Sequence, residues 1–345
     1  MTLTCLELAC EAIRTLQHSP HLLGGEGASP HLWGGGGAFS LDNLQIISAA
    51  RIAAQRFPQL DPAQPVLLTG LADPSLAQQV QQALLAAYPP DHEVTLFMGD
   101  SARAFSLSGL AEGVDFTPQT CLWIPPLPAP AAYEALQDVV AHLRAPDGCP
   151  WDRALTWAKL RATLLEETYE LLAALDADDA AKVAEEQGDL LLQIAMQVQI
   201  ATEEGRYRLP DVIRGIVGKL IRRHPHVFGD AQVSGAAEVL ANWEAIKRAE
   251  RESNGEKRSP LAGVPKGLPA LAQADAYMDR MSRLGEVPAP AAPWAELAAL
   301  PADAAVTPEM VGEALFGLVA WARARGVDAE RALREANARY AARFE

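Results

Sequence analysis

Two acidic clusters in this chain have types and spacing that suit chemistry: Glu166-Glu167-x-x-Glu170, and further on Glu186-x-x-Asp189. Residues three apart on a helix share one face, so Glu167 stands with Glu170 and Glu186 with Asp189. If the two segments pack as antiparallel helices, four carboxylates converge. At an effective dielectric near 20, two such charges about 4 Å apart repel by roughly 4 kcal/mol. A hard divalent cation relieves that repulsion, and an all-oxygen donor set suits Mg²⁺ or Mn²⁺. Glu-rich helices are commonly plain solvated surface, but helical phase argues otherwise here. From Leu190 to Ile200 the second segment is apolar almost all round, the pattern of a buried helix. Glu186, Asp189, Gln193 and Gln197 fall within one sector about 80° wide. A polar stripe on a buried helix needs a partner, because buried charge is costly unless paired or metal-bound.

The densest basic patch of the chain runs from Lys219 through Arg222 and Arg223 to His224-Pro225-His226, with Trp243 and Lys247 following. Lys219, Arg222 and Arg223 share a helix end, and Trp243 and Lys247, at i and i+4, share a face. Arginine forks match phosphate oxygens, and lysine offers a compact charge. Alone, these cations would merely complement a helix C-terminus. Beside four carboxylates they complete what phosphoryl transfer requires, a metal plus cations. His224 and His226, with no cysteine nearby, read as turn residues or phosphate donors rather than as a transition-metal site. A di-iron carboxylate bundle needs Glu-x-x-His, and neither cluster has it.

The elements that must carry these groups are mostly helical. Tyr133 to Leu143 and Thr156 to Leu175 read as helices. Asp176-Ala-Asp-Asp179 supplies N-caps for a third, which runs to a Gly205 stop. Pro210 starts a fourth, ended before Pro225, and Ser234-Gly235 precedes a fifth. Residues 255–269 read as a loop and 270–345 as mainly helical, with an Ala- and Pro-rich stretch from Glu286 to Pro308. Upstream the composition changes. Residues 1–130 hold no lysine and carry 4 Arg against 11 Asp and Glu. Gly24-Gly25 and Gly34 to Gly37 are glycine-rich, Pro65–Gly70 and Val94–Met98 read as strands, and Ser75–Ala87 reads as a helix, an α/β pattern. Pro125 to Pro130 reads as a stiff linker. The expected division is therefore 1–130, 131–253 and 254–345.

With 345 residues the chain has ample material for two or three domains. A net charge of −15 argues against general nucleic-acid or anionic-membrane binding. No run approaches the roughly 18 apolar residues of a membrane span, and the N-terminus lacks the features of a signal peptide. Cys5, Cys10, Cys121 and Cys149 show neither zinc nor disulfide spacing, so reduced thiols and a cytoplasmic setting are expected. A partial repeat is also visible: Glu185–Leu192 lines up with Glu309–Phe316, with Met310 where Glu186 stood.

Four stretches together resemble the MazG family of nucleoside triphosphate pyrophosphohydrolases. They are Leu143–Asp152 (Leu-Arg-Ala-Pro-Asp-Gly-Cys-Pro-Trp-Asp), Leu165–Glu170, Glu185–Leu191 and Lys219–Asp230, followed by Trp243-Glu-x-x-Lys247. The resemblance implies an all-α fold with a four-helix core built by two chains, here with a degenerate second repeat and a preceding small α/β domain. It implies Mg²⁺ (or Mn²⁺) on Glu167, Glu170, Glu186 and Asp189, and hydrolysis of nucleoside triphosphates to monophosphate and diphosphate in clearing ordinary or damaged nucleotides. Glu166 would orient or deprotonate the water. Lys219, Arg222, Arg223 and Lys247 would meet phosphates, with Trp243 near base or sugar. A homodimer is implied, or a monomer if the second repeat replaces the partner chain. The alternatives are a related hydrolase, such as one acting on phosphoribosyl-ATP, and a catalytically silent nucleotide- or partner-binding module. The family's Gln-Thr-His after Cys-Pro-Trp-Asp is Leu155-Thr156-Trp157 here, Gln197 stands for a common His, and Gln187 for the usual Leu. Residues 38–128 resemble the C-terminal half of a tetrapyrrole (S-adenosylmethionine-dependent) methylase domain, from Phe39–Gln45, Tyr88–Val94 and Ile124–Pro126. Its Gly-rich cofactor loop is missing, which implies a non-catalytic remnant.

Overall fold

A computed structural model describes residues 43–253, 261, 264–283 and 306–343, apart from Asp100, Ala111 and Glu112. The glycine-rich segments before residue 43, the Phe39 end of the methylase-like stretch, Cys5, Cys10, and most of the Ala/Pro-rich stretch lie outside the described residues. The chain divides into two compact units, Met1–Arg214 and Gly215–Glu345.

In the first unit, β1 (Gln45–Ser48), β2 (Val66–Thr69), β3 (Glu93–Met98), β4 (Ser101–Ser106) and β5 (Cys121–Ile124) form one sheet in the order β1-β2-β5-β3-β4. Only β1 and β2 pair in parallel, and the other neighbours are antiparallel. The parallel pair requires a crossover, which α1 (Ala49–Ala53) begins. Strands β2 and β5 are buried along their whole length, as central strands covered on both faces must be. Ile52 of α1, together with Val80 and Leu84 of α2 (Pro74–Leu84), joins Val66, Leu68, Leu96, Leu122 and Ile124 in one core. The sheet therefore has its own apolar interior.

Beyond Pro128 the first unit is helical: α3 (Tyr133–Arg144), the short α4 (Pro150–Arg153), α5 (Trp157–Asp176), α6 (Ala180–Glu203) and the start of α7 (Leu209–Arg223). Local chemistry sets the ends. Thr156 caps α5, its side chain accepting from the Lys159 N–H, and Asp179 caps α6 by accepting from Ala181 and Lys182. Between them Asp178 takes φ 55°, a left-handed conformation that a short polar side chain tolerates. Gly205, at φ 68°, ends α6 as the Arg206 N–H returns to the Ala201 carbonyl. Such a tight turn forces α5 and α6 antiparallel. Val140, Leu160, Ala195, Met196 and Ile200 form their shared core with α3.

One further device ties the Pro146–Asp152 loop to this bundle. Arg144 lies 2.6 Å from Glu203 on α6 and donates to the carbonyls of Asp152 and Leu155. Gly148 sits where a Cβ would run into the backbone carbonyl oxygens of His142 and Leu143. Gly148→Ala is therefore expected to destabilise the chain by about 2–3 kcal/mol, since backbone cannot yield as a side chain can. Equilibrium urea unfolding checks this, and a midpoint unchanged from the parent would refute the packing described.

The second unit contains the rest of α7, α8 (Pro225–Phe228), α9 (Ala236–Ser253), α10 (Ala270–Arg283), α11 (Pro308–Arg323) and α12 (Ala329–Ala341). Ala274, Met278 and Val319 make a small core between α10 and α11. Arg323 forks onto Asp275 and Asp279 of α10. No helix among the described residues is long and apolar enough to cross a membrane.

Candidate active site

The antiparallel α5–α6 pair brings three of the four predicted carboxylates together. Glu167, Glu186 and Asp189 each place one oxygen within 4.8 Å of the others. Glu170 stays outside this group and is exposed. In the antiparallel pair the step from Glu167 to Glu170 leads from the level of Asp189 to that of Glu186, so it is the exposed direction of the Glu170 side chain, not its level, that keeps it out. Glu166 is exposed on the same turn.

The electrostatics are those of a crowded anionic site. Glu167 has its carboxyl pushed above the ordinary value, first by desolvation and then by Asp189, Glu170, Glu186 and Glu166. Glu186 is 1% exposed, and its Oε2 has no hydrogen-bond partner. Lys182 Nζ stands 2.8 Å from Glu186 Oε1, an ion pair one helical turn apart. Hydrogen bonding to Glu186 and Glu185 pushes the Lys182 pKa up. A buried carboxylate oxygen without a partner is costly, and oxygen donors alone are what a hard cation takes. The residues present fit such an ion. Sequence reasoning missed Lys182, although its i,i+4 spacing to Glu186 was a usable signal.

Helix α6 is less enclosed than its apolar composition predicts. Leu191 and Ile194 are exposed whereas Gln193 is 6% exposed. The polar stripe faces inward here, and part of the apolar surface is left open.

The basic residues belong to the second unit. Arg222 Nε lies 2.7 Å and Arg223 Nε 3.1 Å from the two oxygens of Glu250 on α9. Lys247 Nζ stands 4.0 Å from the centre of the Trp243 ring and 3.6 Å from Glu244, and Arg223 also approaches that ring. Lys219 is exposed. Arg222, Arg223, Lys247 and Trp243 are thus clustered, with the cations held by Glu250 and Glu244, which the sequence had not singled out. Arg223 and then Arg222 lower the Glu250 pKa from 4.5 to about 2. A depressed carboxylate contributes stability that is present above its unfolded value and is lost as pH falls through its folded one. The parent should lose stability between about pH 4.5 and 2 more steeply than Glu250→Gln. Thermal unfolding across that range tests this, and identical pH profiles would contradict the pairing.

A family model described as the MazG nucleotide pyrophosphohydrolase domain matches residues 155–228, the stretch that holds all three clustered carboxylates. Among similar proteins, the nucleoside triphosphate pyrophosphohydrolase of Escherichia coli (strain K12) is 38% identical over 224 residues, covering 61% of this chain and 85% of that protein. The chain belongs to the MazG family. The MazG protein of Thermotoga maritima, a nucleoside triphosphate pyrophosphohydrolase/pyrophosphatase, is 38% identical over 220 residues, 61% of this chain and 84% of that one. The uncharacterized protein YabN of Bacillus subtilis (strain 168) is 36% identical over 243 residues, 68% of this chain. The chain spans about half the length of that last relative, 49%. The expected architecture, mainly helical with a small N-terminal sheet, is the one observed.

Proposed function

We propose that this MazG-family chain hydrolyses nucleoside triphosphates to monophosphate and diphosphate with Mg²⁺, and with Mn²⁺ as a substitute. The supporting observation is the triad of Glu167, Glu186 and Asp189, which places one oxygen of each within 4.8 Å of the others and includes the buried Glu186 with its unpartnered Oε2. These three would hold the cation, with Glu170 one turn away as a further ligand or a ligand to bound water. When bound, the ion supplies charge neutralisation at phosphate oxygens and lowers the pKa of a neighbouring water.

The chain's own groups then divide the work. Glu166 orients the attacking water or takes its proton. The water oxygen bonds to the α-phosphorus, the α–β bridging bond breaks, and diphosphate leaves. Lys219, Arg222, Arg223 and Lys247 receive phosphate oxygens, and Trp243 meets the base or sugar. The N-terminal sheet serves packing or partner contact. We place the activity in the cytoplasm, clearing ordinary or damaged nucleotides.

The oligomer proposed is a homodimer. Helix α7 has no buried residue, and Val212, Ile213, Ile216, Val217 and Leu220 are all exposed. An amphipathic helix with an open apolar face is stable when that face is covered. The chain should convert at least one of the eight common triphosphates, with Mg²⁺, to equal amounts of monophosphate and diphosphate by ion-exchange chromatography. Orthophosphate as the product, or turnover of phosphoribosyl-ATP alone, would overturn the assignment.

A further inference from the structure

The inward stripe of α6 continues past the carboxylates. Gln193 lies between Glu186 and Asp189 in azimuth, one turn or about 6 Å beyond Asp189 along the axis. It is 6% exposed, and its amide oxygen is buried without a hydrogen-bond partner. A second buried oxygen without a partner, the Tyr133 hydroxyl, sits at the start of α3. Side-chain contacts between α3 and α6 join residues 58, 59 and 62 apart in sequence, Gln137 with Ala195, Arg144 with Glu203 and Gln137 with Gln199. That register runs the two helices parallel and sets Tyr133 level with Gln193. Two orphaned polar groups thus occupy one level of the bundle, a turn from the carboxylate triad.

Buried acceptors are normally satisfied, and this level is next to the proposed α-phosphate position. The group bonded directly to the α-phosphate of a nucleotide is its sugar. We infer that Gln193 reads the ribose: a sugar hydroxyl donates to Gln193 Oε1, and the Tyr133 hydroxyl, at the same level of the bundle, offers a second polar contact. This inference rests on the triphosphate reading above and adds a specificity role to it.

The test uses the full chain with Mg²⁺ and four adenine nucleotides, ATP, 2′-deoxy-ATP, 3′-deoxy-ATP and 2′,3′-dideoxy-ATP. Hydrolysis is measured on these, and binding by calorimetry on their non-hydrolysable α,β-methylene analogues. The parent should prefer hydroxyl-bearing nucleotides over the dideoxy form by about tenfold or more, as sites built to bond a hydroxyl do. Gln193→Leu should lose about tenfold in affinity for the preferred nucleotides and leave the dideoxy analogue within about twofold. The two monodeoxy arms show which hydroxyl is read. Tyr133→Phe, which removes one oxygen only, should move the same ratio in the same direction and covers the case that Gln193→Leu fails to fold. If both variants bind and hydrolyse all four nucleotides in the parent's ratios, the inference is wrong while the reaction stands. If the parent neither binds nor hydrolyses any triphosphate, the reaction itself is wrong and this role falls with it.

Discussion

Glu186→Gln should lower diphosphate release by about a thousandfold or more, while the metal-free protein unfolds at the same or a higher temperature. Both halves come from one fact: Glu186 is a carboxylate with 1% exposure, set against the carboxylates of Glu167 and Asp189. Glutamine keeps the shape and removes the charge. About 4 kcal/mol of lost charge stabilisation corresponds to roughly a thousandfold in rate. The same change removes a like charge from beside Glu167 and Asp189, whose repulsion the metal-free fold must otherwise bear. Lys182 loses the Glu186 charge but keeps Glu185 at 3.1 Å, and its side chain is 46% exposed. Steady-state rates with Mg²⁺ and calorimetric unfolding in chelator separate the two effects. Full turnover in the variant would remove Glu186 from the site.

Ile216→Glu should turn the protein monomeric at micromolar concentration. Ile216 lies on the apolar side of α7 with Val212, Ile213 and Leu220, all exposed in the single chain. Placing a carboxylate on each copy of a self-complementary face buries unpaired charge, which costs several kcal/mol and weakens association by two to three orders of magnitude. Sedimentation equilibrium reads the mass directly. A parent that is already monomeric would show that this face is covered by something other than a second copy.

Much of the helical part was legible because its signals are local. Thr156 and Asp179 are cap residues at the positions where α5 and α6 start, and Gly205 stops α6 where a left-handed residue is required. The i,i+3 spacing of Glu186 and Asp189 placed them on one face, and Glu167 meets them because the α5–α6 turn is short. What the sequence did not disclose depends on tertiary level and exposure. Glu170 lies outside the triad and exposed, a matter of side-chain direction in the packed pair that no spacing within one helix reveals. The edge strand β4, Ser-Ala-Arg-Ala-Phe-Ser, is largely exposed and lacks a clear apolar alternation. Strand β5 is only four residues long before a proline pair, too short to announce itself. Gln193 was visible as part of a polar stripe, but its unpartnered oxygen is a property of packing alone.

Binding of Mn²⁺ followed by electron paramagnetic resonance tests the central claim most directly, because it needs no substrate and no turnover. Titration of the parent should show a saturable site that is lost when Glu167→Gln, Glu186→Gln and Asp189→Asn are combined in a protein that keeps its helical circular dichroism. Equal Mn²⁺ uptake by the parent and that folded triple variant would contradict the account.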